Sequence, residues 1–217
     1  MKSKLIYPIL FCLIIGFSQI NLGTLLSYSL TIQKIIPKLS YNPSSPILIN
    51  SDSELDLIAN YGNGSLLNPY VITNKSINAS YSGSAIYIRN TRVFLQIFNC
   101  ELYNAGNQWG DAGIRINNCS NIIIINNDIH DNGYFGMMVY SSNLISIKNS
   151  SIGRSIQNGI YCYNSRNVIL LQNNILSNLQ AGIRSLYSFN VSCEGNVLFN
   201  NSYGIYFSST NQSRISF

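Results

Sequence analysis

Gly113, Gly136, Gly159, Gly182 and Gly204 stand 23, 23, 23 and 22 residues apart, and the residues between them repeat too. Counting each unit from its glycine, position one is Ile114, Met137, Ile160, Ile183 and Ile205. Position three is Ile116, Val139, Cys162, Ser185 and Phe207. Position nine is Ile122, Ile145, Val168 and Val191, and position eleven is Ile124, Ile147, Leu170, Cys193 and Ile215. Position sixteen is Ile129, Ile152, Ile175 and Leu198. Each unit holds three short apolar pieces separated by polar turn residues. Within the first two pieces the apolar residues are two apart, the strand period. Strands this short form no stable sheet alone. Stacked coil on coil at ~4.8 Å, each pairs with its copy above and below. Position fourteen, Asn127, Ser150, Asn173 and Asn196, then becomes a file of small polar side chains able to hydrogen-bond along the stack. The repeat predicts an all-β solenoid, a three-sided parallel β-helix of about six to seven coils. A right hand is expected from strand twist, not from the repeat itself.

Composition agrees. Only 10% of the 217 residues are charged and 46% are hydrophobic, which excludes a disordered chain. Ile, Val, Tyr, Phe, Asn, Ser and Gly favour strands and turns over helices. Upstream, Ala85 to Leu102 fits a further coil with one extra residue, and "ELYNAGNQWGDAG" inserts a few residues before Gly113. Asn68 to Ser80 reads as a degenerate first coil. Before it, "SDSELDLIAN" carries a helix-start signal, with Ser53 as the cap and Asp56 at the third helical position. A short helix there would cover the N-terminal end of the stack, which is otherwise an open sheet edge. At the other end "GIYFSSTNQSRISF" stops part-way round a coil with no cap visible. A protein partner on that edge, or a truncated reading frame, is the expectation.

Residues 1–29 read as a secretory signal or an uncleaved membrane anchor, 30–46 as a linker and 47–217 as the β-helix. Lys2 and Lys4 precede an uncharged run from Leu5 to Phe17, shorter than the ~20 residues of a bilayer span. Either alternative places the body of the protein outside the cytoplasm, secreted or at the cell surface. Without Lys2 and Lys4 the 13 basic residues fall to 11 against 8 acidic, a net charge near +3 that argues against nucleic acid as a partner. Sequons at Asn63, Asn74, Asn78, Asn118, Asn149, Asn190, Asn200 and Asn211 fit an exported protein without establishing glycosylation.

The units "GIRINNCSNIIIINNDIHDN" and "GIYCYNSRNVILLQNNILSN" resemble the β-helix repeats of the NosD-like and pectin-lyase-like superfamily, and "GNGSLLNPYVITNKSI" is similar to the first coil of secreted members. The resemblance spans about Ile47 to Phe217 and implies the fold. For activity it implies a mixture: lyases, hydrolases, epimerases, adhesins and accessory proteins. Its enzymes act on acidic polysaccharides through clustered carboxylates, some with calcium.

Two sets of residues follow. Glu101 and Asp128 share a column on adjacent coils; His130 and Asp131 lie just beyond, and Arg154 takes the column of Asp131 one coil later. Asp111 and Trp109, in the insertion between those coils, are expected to join them. Glu101, Asp128, His130 and Asp131 are the catalytic candidates, since glycosidic chemistry needs two carboxylates about one bond. Turn decoration is the plainer account, because Asp replaces Asn readily in turns. The second set is a surface. Positions two and four flank the inward position three, so Tyr87, Arg89, Arg115, Tyr140, Tyr161, Tyr163, Arg184 and Tyr206 point outward on one long face. Flat Tyr rings and forked guanidiniums suit an extended glycan or glycoconjugate, particularly an acidic one. Tyr's preference for exposed strands is the alternative.

A copper role, implied by the NosD likeness, needs clustered soft ligands. Here there is one His, and Cys100, Cys119, Cys162 and Cys193 fall in four columns, which argues for buried thiols and against a disulfide ladder. No metal ligands or cofactors are assigned; calcium at the acidic cluster stays open as an alternative. Binding without turnover is favoured over a lyase, hydrolase or uronate epimerase, and over a structural scaffold.

Overall fold

A computed structural model describes residues 44–216; the expected signal or anchor, most of the expected linker and Phe217 lie outside them. The first coil is β1 (Ile47–Ile49), β2 (Tyr70–Thr73) and β3 (Ser76–Asn78); the second is β4 (Ile86–Arg89), β5 (Leu95–Phe98) and β6 (Glu101–Tyr103). Then come β7 (Ala112–Asn117), β8 (Ser120–Ile125) and β9 (Asp128–His130), and β10 (Phe135–Tyr140), β11 (Asn143–Lys148) and β12 (Ser151–Gly153). The fifth and sixth coils are β13 (Ile160–Tyr163), β14 (Arg166–Leu171) and β15 (Asn174–Leu176), and β16 (Ala181–Leu186), β17 (Phe189–Glu194) and β18 (Val197–Phe199). β19 (Tyr203–Ser208) and β20 (Arg214–Ser216) begin a seventh. Every third strand pairs in parallel, giving two seven-stranded sheets and one six-stranded sheet. The first sheet runs β1-β4-β7-β10-β13-β16-β19, the second from β2 to β20, the third from β3 to β18.

The registers reproduce the sequence columns. Ile114 pairs with Met137 and Met137 with Ile160; Ile124 pairs with Ile147, Ile147 with Leu170, and Leu170 with Cys193. These side chains point inward and are almost fully buried in one continuous core. The glycine column has a steric cause. A Cβ on Gly159 would lie 2.7 Å from the carbonyl oxygen of Gly182 and 2.6 Å from Ile175; Gly136 and Gly182 meet the same kind of neighbours. Position zero lies at the start of the first-sheet strands, where one coil's backbone presses on the next.

Asparagine is abundant for a second backbone reason. Four positions per coil are left-handed, and Asn tolerates that region better than most residues. At position thirteen these are Asn126, Asn149, Gln172 and Gly195; at position eighteen, Asp131, Arg154, Ser177 and Asn200. Inside the corners run three polar files where one was anticipated. In the first, the amide of Ser150 donates to Asn173 Oδ1 (3.1 Å) and that of Asn173 to Asn196 Oδ1 (3.0 Å), with Cys100 N–H joining through Asn127. A second uses hydroxyls: Cys119, Ser142 and Ser165 each donate an N–H to the next coil's serine, ending at Ser188. A third comprises Asn132, Ser155, Asn178 and Asn201.

The helical cap is present but built differently. It follows β1 and consists of a 3-10 turn, Asp52–Glu54, running into α1 (Leu55–Ile58). Ser53 lies inside the turn and caps nothing; instead the Glu54 carboxylate accepts the backbone N–H of Asn50 at 2.8 Å. Leu55 is buried at the end of the core, and the Tyr70 hydroxyl donates to Asp56. Strand edges here are paired as well: Tyr61 bridges Val71 antiparallel and Ser44 bridges Ile77. No helix among the described residues is long and apolar enough to cross a membrane.

Candidate functional site

The two candidate patches lie on different sheets. Tyr87, Arg115, Tyr161, Arg184 and Tyr206 follow one another across the outer side of the first sheet, with Met138 among them. Arg89, Tyr140 and Tyr163 share the neighbouring row. The row is not uniformly open. Tyr161 is only 8% exposed: Phe135 stacks on it at 4.8 Å, and Met138 is buried beside them. That burial pushes the Tyr161 phenol above its ordinary value. Tyr161 therefore supports the surface more than it presents a face to it.

The half-buried and exposed part is aromatic. Tyr140 and Tyr163 stack with ring centroids 5.2 Å apart and planes 8° from parallel, the Tyr187 ring meets Tyr163 edge-on, and Trp109 meets Tyr140 edge-on. Trp109 is 56% exposed. The guanidiniums lie over rings: Arg115 is 4.5 Å from the Tyr87 centroid, with Arg89 on the same ring at 5.7 Å, and Arg184 is 5.3 Å from Tyr206. Such contacts hold a cation flat while leaving its terminal nitrogens usable. Arg89 also donates to the Asn50 side chain at 2.7 Å.

The insertion divides the expected acidic group. Asp111 is buried and turns back on its own loop, its carboxylate accepting the Gln108 N–H at 3.0 Å. Trp109 leans onto the first sheet. Both leave the acidic cluster, because the loop crosses the corner from the third sheet to the first, where its Gly110 packs against the Arg115 guanidinium.

Glu101, Asp128 and His130 do converge, on the outer side of the third sheet. Glu101 is opposite Asp128, and Tyr103 opposite His130. One oxygen of each carboxylate and one imidazole nitrogen lie within 4.8 Å of one another, so these three could hold a metal ion. The His130 ring stacks on Tyr103 at 5.4 Å, and its Nδ1 is 2.7 Å from Asp131 Oδ2. Asp131 accepts a forked pair of bonds from Arg154, at 2.6 Å from Nε and 2.9 Å from Nη2. That guanidinium, with His130 helping, holds the Asp131 carboxyl down at about 2. Asp131 is thus a fixed anion orienting His130.

An open groove of about 390 Å³ runs along the corner between the second and third sheets, lined by Asn99, Asn126, Asn149, Gln172, Asp128 and Ser151. It is the left-handed position-thirteen column seen from outside. The aligned Asn residues are its sequence signal, hidden because turn composition alone does not separate four columns. The four described cysteines are unpaired and buried. Burial pushes the Cys100 thiol up to about 11 and Cys193 to about 12, so they are core side chains and not ready ligands.

The model for the right-handed beta helix region matches residues 47–217. No protein of curated function matches the sequence. Among solved structures, the chain is similar to the A-module of the Azotobacter vinelandii mannuronan C-5 epimerase AlgE6, at 17% identity and a TM-score of 0.58. The match covers 82% of this chain and 52% of that one. The AlgE4 A-module of the same organism gives 15% identity and a TM-score of 0.44, covering 67% and 59%. Tailspike protein 2 of the Escherichia coli O157:H7 bacteriophage CAB120 gives 12% and 0.35, covering 66% and 31%. The chain spans about half the length of the AlgE6 module, and these likenesses concern the fold. With three parallel sheets, 23-residue coils and a family match over the whole solenoid, the chain belongs to the right-handed β-helix family.

Proposed function

We propose that this is an exported, cell-surface β-helix that binds an extended glycan along the outer face of its first sheet without turning it over. The observation that carries this is the Tyr140–Tyr163 stack with Trp109 and Tyr187 at its edges, flanked by ring-held Arg115 and Arg184. The stack turns ring edges and phenol hydroxyls outward, the exposed Trp109 and Tyr187 rings offer apolar surface for the C–H side of sugar rings, and strands ~4.8 Å apart repeat the contact along a polymer. Arginines at both ends of the aromatic run favour a glycan carrying carboxylate or sulfate groups. Mannuronan, named for the AlgE6 relative, is a polyuronate of that kind and is the first ligand to try.

The test is retention of the full chain on columns of polyuronate, sulfated and neutral polysaccharide, with products assayed in the same fractions. Tyr140→Ala with Tyr163→Ala should abolish retention, and Arg184→Ala should weaken the acidic ligands at least tenfold while sparing neutral ones. Asp128→Asn should leave retention unchanged. Unsaturated, epimerised or shortened products that disappear in Asp128→Asn would replace binding with catalysis at Glu101, Asp128, His130 and Asp131.

A further inference from the structure

We propose that Glu101, Asp128 and His130 form a binding site for one divalent transition-metal ion of the zinc type. The inference stands apart from the glycan face, which lies on another sheet. It begins with how each ligand's second polar atom is used. Ser76 Oγ donates to Glu101 Oε2 at 2.8 Å, which leaves Oε1 turned toward the imidazole. Asp131 takes His130 Nδ1 at 2.7 Å, itself clamped by the forked Arg154. A carboxylate on Nδ1 fixes the proton there and presents Nε2 as a lone pair, the outer-shell arrangement common to metal-binding histidines.

Nε2 and Glu101 Oε1 are then 3.7 Å apart. That is beyond a hydrogen bond, whose N···O distance is about 2.7–3.2 Å. It is close to the ~3.4 Å that separates two ligands of a tetrahedral zinc ion bonded at ~2.1 Å. Asp128 supplies the third ligand from the adjacent strand position, one oxygen of each carboxylate and an imidazole nitrogen fitting within 4.8 Å. Two carboxylates and a lone pair facing one another repel unless a proton on Nε2 or a metal cation stands between them, and the two compete for the same site. His130 is partly buried, its side chain 18% exposed and backed by Tyr103, so water screens that repulsion incompletely. Calcium is the poorer fit, since it takes 6–8 oxygen ligands whereas this set offers one nitrogen and two carboxylates. Water would complete the coordination.

The single histidine makes the test direct. Titrating the full chain with Zn²⁺ by calorimetry should show one ion per folded chain, with at least tenfold weaker binding in His130→Gln, Glu101→Gln and Asp128→Asn. Asp131→Asn should weaken it by about 10-fold or more through the outer shell. In ¹⁵N NMR of the imidazole, Zn²⁺ should move the Nε2 resonance and leave Nδ1 protonated, a readout that needs no variant to fold. Excess Ca²⁺ should not displace the ion. Absence of stoichiometric binding at millimolar Zn²⁺, an unmoved imidazole, or undiminished binding in His130→Gln overturns the assignment; so does displacement by equimolar Ca²⁺.

Discussion

At the residue scale the acidic corner is organised by Asp131 and Arg154. Both occupy left-handed backbone positions one coil apart, which brings their side chains together as stacked neighbours. Asp131 has its carboxyl lowered to about 2, so its contribution to stability is present above the ordinary carboxylate range and is lost as pH falls from about 4 toward 2. The pair is exposed, with side chains 58% and 45% accessible, and such pairs stabilise little. The measurable consequence is therefore electrostatic and local. Arg154→Ala should return the Asp131 pKa toward its ordinary value in a ¹³C carboxyl titration, with little change in melting temperature. A carboxyl still titrating near 2 in that variant would assign the shift to His130 or the backbone instead.

At the scale of the element, the polar files decide how well the coils seal. Asn173 is fully buried; its Oδ1 accepts the Ser150 N–H and its Nδ2 donates to the Ile147 carbonyl. Asn173→Ala leaves the Ser150 N–H without an acceptor inside the corner and should cost about 1–3 kcal/mol, the cost of one orphaned buried group. Asn173→Ser should cost less, because Ser150 already serves the Asn127 amide in this file. The third file shows the reverse case. Ser155 stands where the neighbouring coils carry Asn132 and Asn178, and its Oγ is buried without a partner among the described residues. Ser155→Asn should restore the file and add about 1 kcal/mol, the net value of a typical hydrogen bond. Denaturant melts read both; a destabilised Ser155→Asn would mean the corner has no room for the amide.

The whole molecule was legible where side chains repeat and illegible where the backbone alone does. Inward positions such as Ile124, Ile147 and Leu170 bury in register, so their period was visible in sequence. The outer face was predicted from alternation, yet alternation could not reveal that Phe135 would shield Tyr161, since that contact depends on where the chain enters β10. The acidic corner was legible through Glu101 and Asp128 because strand register carries it, whereas Asp111 and Trp109 left it because insertions obey no period. The same one-dimensional order has a dynamic consequence. Each coil touches only its neighbours, so a solenoid's stability is close to a sum of coil and interface energies. Damage at Asn173 should then spread locally. By hydrogen exchange, Asn173→Ala should speed exchange in β10 to β18, its own coil and those stacked on either side of the substitution, while Ile86 to Tyr103 keep their wild-type rates. Uniform acceleration from β4 to β18 would show a single cooperative unit, in which distant coils are coupled through the shared core.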